Sequence, residues 1–375
     1  MPKPERKCLF TPGPLNTSDA VRQAMLLDKG SREPAFIQSV KNVRQNILKI
    51  TDLDPDGLYT VVPMQGSGTF SIEAAIGTFT AKNAKLLILV NGAYGRRMVS
   101  IAEHLGIDVQ SLEFEETEAI CPLKVAAHLK LHPDISLVAT VHCETTTGIM
   151  NPLEKLGEVT AAASALFMVD AMSSFGGIKI DFSKCRIDCL VSSANKCLES
   201  VPGLGFVIAK KTLLQSAQGQ ARSLSFDLHA QWQGLENNGQ FRFTPPTHVI
   251  LALEKALEVL THEGGIEARS ERYHNNRRIL MSGMTRLGFR PVIEDRLQSP
   301  VIATFHHPKD SRFKFTPFYQ WLAERDLIIY PGKVSRIDSF RIGTIGDLQS
   351  QDFHHLLESI EEYLKLTGID LPLKN

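Results

Sequence analysis

Between about residues 60 and 195, short apolar runs alternate with stretches of helical periodicity, and that alternation leaves few folds open. The runs are Tyr59–Pro63, Lys85–Val90, Asp108–Leu112, Ser136–Val141, Ala165–Asp170 and Ile187–Val191. Each is strand-length, and most are apolar throughout, as strands buried on both faces are. Helical stretches separate them: from Phe70, from Met98 to Leu105, from Val125 to Leu131 and from Leu153 to Ala163. Strand and helix in alternation predict a mostly parallel sheet covered on both sides. Leu204–Ala209 follows after a short link and predicts an added antiparallel strand, making a seven-stranded α/β sheet. Ligands of such sheets bind beyond the carboxyl ends of the strands.

Polar residues gather at those ends. Ser192-Ser193-Ala194-Asn195-Lys196-Cys197-Leu198 places Lys196 among small residues just past an apolar strand. Burial lowers a lysine's pKa, and a neutral amine attacks carbonyls to form a Schiff base. The plain alternative is a head group that reaches solvent. Asp170 closes the preceding strand. Alone it reads as a cap or turn residue. Beside Lys196 it supplies the second half of a pyridoxal phosphate site, a carboxylate for the pyridine nitrogen. Gln65-Gly66-Ser67-Gly68-Thr69 leads into a helix, where glycines, hydroxyls and free N–H groups suit a phosphate. Gly66-x-Gly68-x-x-Ser71 is also half of a dinucleotide fingerprint, which keeps a nicotinamide-dependent dehydrogenase as the alternative from another class. Its third glycine is missing, as is a strand ending in an acid about twenty residues on. Tyr94, between glycines after the second run, either stacks on an aromatic ligand or packs in a turn. His142-Cys143-Glu144 suggests a metal, but adjacent residues on extended chain point apart, so no metal is expected.

The flanks complete the layout. Residues 1–20, with Pro12-Gly13-Pro14, read as an extended arm. Residues 21–265 form the large domain, and residues 266–375 a connector helix and a small α+β domain. Its expected elements are strands at Pro300–Phe305, Leu327–Tyr330 and Phe340–Ile342, and helices at Phe315–Glu324 and Gln351–Leu364. Ser339-Phe340-Arg341-Ile342-Gly343 sets an arginine in an apolar strand, which demands either a structural salt bridge or an acidic ligand such as carboxylate or phosphonate. Arg32 lies in a polar loop, as an anion ligand or as a solvated charge. The 41 basic and 41 acidic residues balance, which argues against nucleic-acid and anionic-membrane partners. Six scattered cysteines without a CxxC pair, a charged N-terminus and no long apolar run predict a cytoplasmic protein with reduced thiols.

These motifs, with Leu9–Leu15, Met64–Phe70, Asn91–Arg97, Glu144–Gly148, Val169–Gly177, Phe243–His248 and Tyr330–Lys333, stand in an order that resembles the fold type I, pyridoxal phosphate-dependent aminotransferases of the alanine–glyoxylate/serine–pyruvate group. The resemblance implies that Lys196 carries pyridoxal 5′-phosphate and Asp170 pairs with its ring nitrogen. It implies further that Ser67, Gly68 and Thr69 hold the phosphate, that Tyr94 stacks on the ring, and that Thr145, Met172 and Asn195 line the cofactor. Thr244 then reaches the cofactor of a second subunit in a homodimer, and Arg341, with Arg32 in reserve, takes the substrate's acidic group. The implied reaction moves the amino group of 2-aminoethylphosphonate to pyruvate, giving phosphonoacetaldehyde and alanine in phosphonate degradation. Alanine–glyoxylate and serine–pyruvate transfer are the alternatives, and cysteine desulfuration is the other chemistry within the cofactor family.

Overall fold

The computed structural model describes residues 6–374, so the first five residues of the expected arm, and the reading of a charged N-terminus there, lie outside it. Seven strands form the main sheet: β1 (Tyr59–Gln65), β2 (Lys85–Val90), β3 (Asp108–Glu113), β4 (Ile135–Val141), β5 (Leu166–Asp170), β6 (Cys189–Ser193) and β7 (Leu204–Lys210). Their spatial order is β1-β7-β6-β5-β4-β2-β3, with β7 antiparallel to both neighbours and the other pairs parallel. This is the expected α/β sheet. The inner strands β2, β4, β5 and β6 are buried almost throughout, whereas edge strand β3 exposes about every other side chain. Pro63 falls in edge strand β1, where a missing N–H costs least.

The smaller sheet consists of β8 (Ile302–His306), β9 (Tyr330–Pro331) and β10 (Ser339–Gly343), with β10 in the middle. A second hydrophobic core surrounds it, built from Phe289, Phe305, Phe318, Phe340 and Phe353. The long helix Gly265–Leu287 runs between the two cores and ends on Gly288 at φ 90°, a left-handed position that favours glycine. No helix of the described residues is long and apolar enough to cross a membrane.

Three expectations change. The run Leu327–Tyr330 is not one strand. Leu327–Ile328 pairs in parallel with Cys8–Leu9, and Tyr330–Pro331 pairs with β10. The N-terminal arm therefore does not stand apart: Cys8 and Phe10 belong to the second core, and Phe10 meets Phe353 edge-on at 5.1 Å. Lastly, the helix after β2 starts at Ala93 rather than Met98, which puts Tyr94 in its first turn. Its cap comes from far along the chain. The Glu144 carboxylate accepts the Tyr94 N–H at 3.2 Å, and the Thr146 hydroxyl accepts the Ala93 N–H at 3.0 Å.

Candidate active site

The parallel strands β2, β4, β5 and β6, together with β1, deliver their carboxyl ends to one edge of the sheet, and a cavity of about 200 Å³ lies there. Ser67, Gly68 and Thr69 form one wall, at the start of the helix Gly68–Phe79. Ser67 occupies the N-cap position but makes no side-chain cap, so its hydroxyl stays available. The first N–H groups of any helix lack internal acceptors, and the positive dipole end adds to them. Gly68 packs closely on Met172, another lining residue: a Cβ there would lie 2.3 Å from the Met172 sulfur and would push that flexible side chain aside.

Asp170 ends β5 and is buried. One carboxylate oxygen accepts the Met172 N–H at 2.9 Å. Burial raises its pKa to about 6, against the pull of that hydrogen bond. A carboxylate in such a place favours a cationic partner, as a protonated pyridine nitrogen is.

Lys196 lies three residues beyond β6 and opens onto the cavity. Its ammonium donates to the Pro12 carbonyl at 2.5 Å. Desolvation lowers its pKa, with Arg341 acting the same way, against the opposing pull of Tyr94, Cys197 and Asp170. Gly13, at φ 113°, makes room for it: a Cβ would sit 2.6 Å from Lys196 Cδ. The arm that joins the second core thus also crosses the lysine.

Tyr94 also lines the cavity. Burial acts to raise its phenol, but the hydrogen bond with Thr145 and the charges of Lys196, Lys333 and Arg341 outweigh this and hold it below its ordinary value. Arg341, in β10, reaches the same hydroxyl. Its Nε donates to the Pro331 carbonyl and its Nη1 to the Thr145 carbonyl, both at 3.0 Å. It is buried, and among the described residues no carboxylate pairs with it. The structural salt bridge is therefore absent, and the guanidinium keeps an uncompensated charge.

The chain brings together Ser67, Gly68, Thr69, Tyr94, Asp170, Met172, Asn195 and Lys196 around the cavity. Thr145 and Arg341 adjoin it through Tyr94. Arg32 and Thr244 do not. Both are exposed and line a separate cleft with Gln240 and Arg242. His142 is buried with its ring against the Ser174 hydroxyl at 2.9 Å, and no group of three potential metal ligands occurs among the described residues.

Sequence reasoning passed over two cations. Arg97 lines the cavity and donates to the Thr69 hydroxyl at 3.2 Å. Lys333 lies with its Nζ 4.4 Å from the centre of the Tyr94 ring. Arg97 sits one helical turn from Tyr94, a spacing that placed it on the same face. Lys333 ends the stretch Tyr330–Lys333 that carries the resemblance, but its sequence context assigns it no role.

A pyridoxal phosphate group fits this donor set: an amine that burial makes less basic, a buried carboxylate short of a cation, a helix start for phosphate and an aromatic wall. The comparisons agree. The aminotransferase class-V family model matches residues 28–328. A 2-aminoethylphosphonate–pyruvate transaminase of Bacillus cereus (strain ZK / E33L) is 46% identical over 353 residues, 94% of this chain and 96% of that protein. Among solved structures, a ureidoglycine–glyoxylate aminotransferase of Bacillus subtilis superposes with TM-score 0.89 at 23% identity, covering 99% of this chain and 96% of that one. A pyridoxamine–pyruvate aminotransferase of Mesorhizobium loti gives 0.88 at 25% identity, covering 99% and 95%. A family match over most of the chain, with a relative 46% identical along nearly its whole length, makes the chain a member of the class-V aminotransferases.

Proposed function

We propose that this aminotransferase takes the amino group of 2-aminoethylphosphonate and passes it to pyruvate, releasing phosphonoacetaldehyde and alanine. The observation that carries the reading is Arg341, a buried guanidinium without a carboxylate partner among the described residues, held by two backbone carbonyls and bonded to Tyr94, which lines the Lys196 cavity. The phosphonate of one substrate and the carboxylate of the other each supply the missing charge. The 46% identical relative carries the same activity in its name.

The cofactor is pyridoxal 5′-phosphate. When bound, it withdraws electrons from the substrate carbon that bears the amine. The chain's own residues do the rest. Lys196 would hold the cofactor's aldehyde, and its Nζ, once free as an amine, would take up the proton from the substrate carbon. Desolvation serves this by leaving more of the amine neutral. Asp170 keeps the ring nitrogen protonated. Ser67, Gly68 and Thr69 hold the phosphate, and Arg97, bonded to Thr69, adds a cation there. Tyr94, Met172 and Asn195 enclose the ring, and Thr145 fixes both the Tyr94 hydroxyl and Arg341.

Arg32 and Thr244 line a cleft of their own. Their exposure supports a homodimer in which that cleft faces the second subunit's cavity, as the family resemblance implies. The boundaries proposed for the domains, near residues 20 and 265, fall just past the arm and at the start of the helix Gly265–Leu287. The reading includes a cytoplasmic location, in keeping with six free cysteines.

A panel of amine donors with pyruvate, read by alanine formation, tests the reading. The panel holds 2-aminoethylphosphonate, serine and aspartate, with alanine plus glyoxylate as a separate pair. The highest kcat/KM is expected for 2-aminoethylphosphonate. Faster transfer from serine, or from alanine to glyoxylate, contradicts it.

A further inference from the structure

Arg341 is not the only cation that meets Tyr94 from outside the cavity lining. Lys333 sits on the loop between β9 and β10, with its Nζ 4.4 Å from the centre of the Tyr94 ring. Its charge acts on the Tyr94 hydroxyl together with those of Lys196 and Arg341. Among the described residues Lys333 has no carboxylate partner. Glu116, which docks this loop, is already engaged: it accepts the Ser335 N–H at 2.8 Å and hydroxyl at 3.1 Å, and a bond from Arg96. The loop is thus fastened at Ser335 while the lysine two residues earlier points at the site.

Two cations beside one tyrosine exceed what a carboxylate needs. Pyruvate brings a single negative charge. A phosphonate brings more than one near neutral pH and two above its second ionisation, on three oxygens. Arg341 offers a planar fork to either acid and balances only one charge. Its Nε and Nη1 are committed to carbonyls, so it cannot swing to meet a second oxygen on another side. A lysine on a flexible stem is a mobile point charge that can approach the remaining oxygen.

We propose that Lys333 is the second cation of the substrate site, and that it sets the preference for a phosphonate dianion over a carboxylate at the Tyr94–Arg341 end. The proposal rests on the substrate reading above for its biological meaning, while its physical content, a preference between two anions, can be measured without amine transfer.

The measurement is the Kd of ethylphosphonate and of propionate for the cofactor-loaded enzyme, at low salt and at a pH above the second phosphonate ionisation. Lys333 is exposed on a loop, so substitution there leaves the fold intact. Wild type is expected to bind ethylphosphonate the more tightly. Lys333→Gln lowers that preference by about fivefold, the scale of one partly exposed charge pair, and Lys333→Arg restores most of it. A preference that is the same in wild type and Lys333→Gln overturns the assignment. So does a loss equal for both anions. A wild-type enzyme that moves no amine from 2-aminoethylphosphonate overturns the substrate reading, and the ratio of the two Kd values still decides the role of Lys333.

Discussion

Gly13 lies so close to Lys196 that a Cβ on it would stand 2.6 Å from Lys196 Cδ and 3.0 Å from Nζ. Its φ of 113° adds strain for any other residue. Gly13→Ala is expected to push the lysine off its path and to cut kcat at least about tenfold, the size of effect that follows a small misplacement of reacting groups. Circular dichroism checks that the fold survives. A variant with wild-type kcat means the lysine does not need that corridor.

Glu144 caps the Tyr94 helix from fifty residues away, accepting from Tyr94 and Thr146 inside the protein. Glu144→Ala removes the cap and leaves buried donors unpaired, at a cost of about 1–3 kcal/mol. Urea unfolding of the apoprotein reads this. Glu144→Gln keeps one acceptor and loses less. An alanine variant as stable as wild type contradicts the capping role.

Asp170 and His142 give the apoprotein opposing pH dependences. Burial raises Asp170 from 3.8 to about 6, so the folded state binds the extra proton and this contribution to stability falls as pH rises from about 4 to 6. Burial lowers His142 from 6.5 to about 4, so the unfolded state binds the extra proton and stability rises over much the same window. Asp170→Asn removes the first effect only. Its stability relative to wild-type apoprotein is expected to climb by up to about 3 kcal/mol between pH 4 and 6 and to stay level above. A difference independent of pH means that Asp170 titrates normally. With cofactor present, the same variant should lose most of its turnover.

Arg341→Lys keeps the charge and loses the fork. The apparent KM for both substrates should rise by about tenfold, as for one charge-assisted hydrogen bond lost, with cofactor absorbance unchanged. Loss of cofactor with unchanged KM values would show Arg341 to be a structural residue.

Much of this was legible in the chain. Six of the seven strands are short and mainly apolar, so local composition marks them, and Asp170 and Lys196 follow directly from strand ends. The start of the Tyr94 helix was not, because Glu144 and Thr146 stabilise it from a distant turn. Nor was the pairing of Cys8–Leu9 with Leu327–Ile328, which joins segments more than 300 residues apart. The helix Leu228–Asn238 went unread although its signals are local: Asp227 accepts from Ala230 as N-cap, and Gly239 closes it at φ 73°. Lys333 meets Tyr94 from a loop that Glu116, more than 200 residues away, fastens at Ser335.

The most direct measurement is product stoichiometry with the purified, cofactor-loaded enzyme, 2-aminoethylphosphonate and pyruvate, beside Lys196→Ala. The account predicts alanine and phosphonoacetaldehyde in equal amounts over many turnovers, neither product when one substrate is omitted, and neither over many turnovers from Lys196→Ala. Alanine without phosphonoacetaldehyde, or turnover by Lys196→Ala near the wild-type rate, would contradict it.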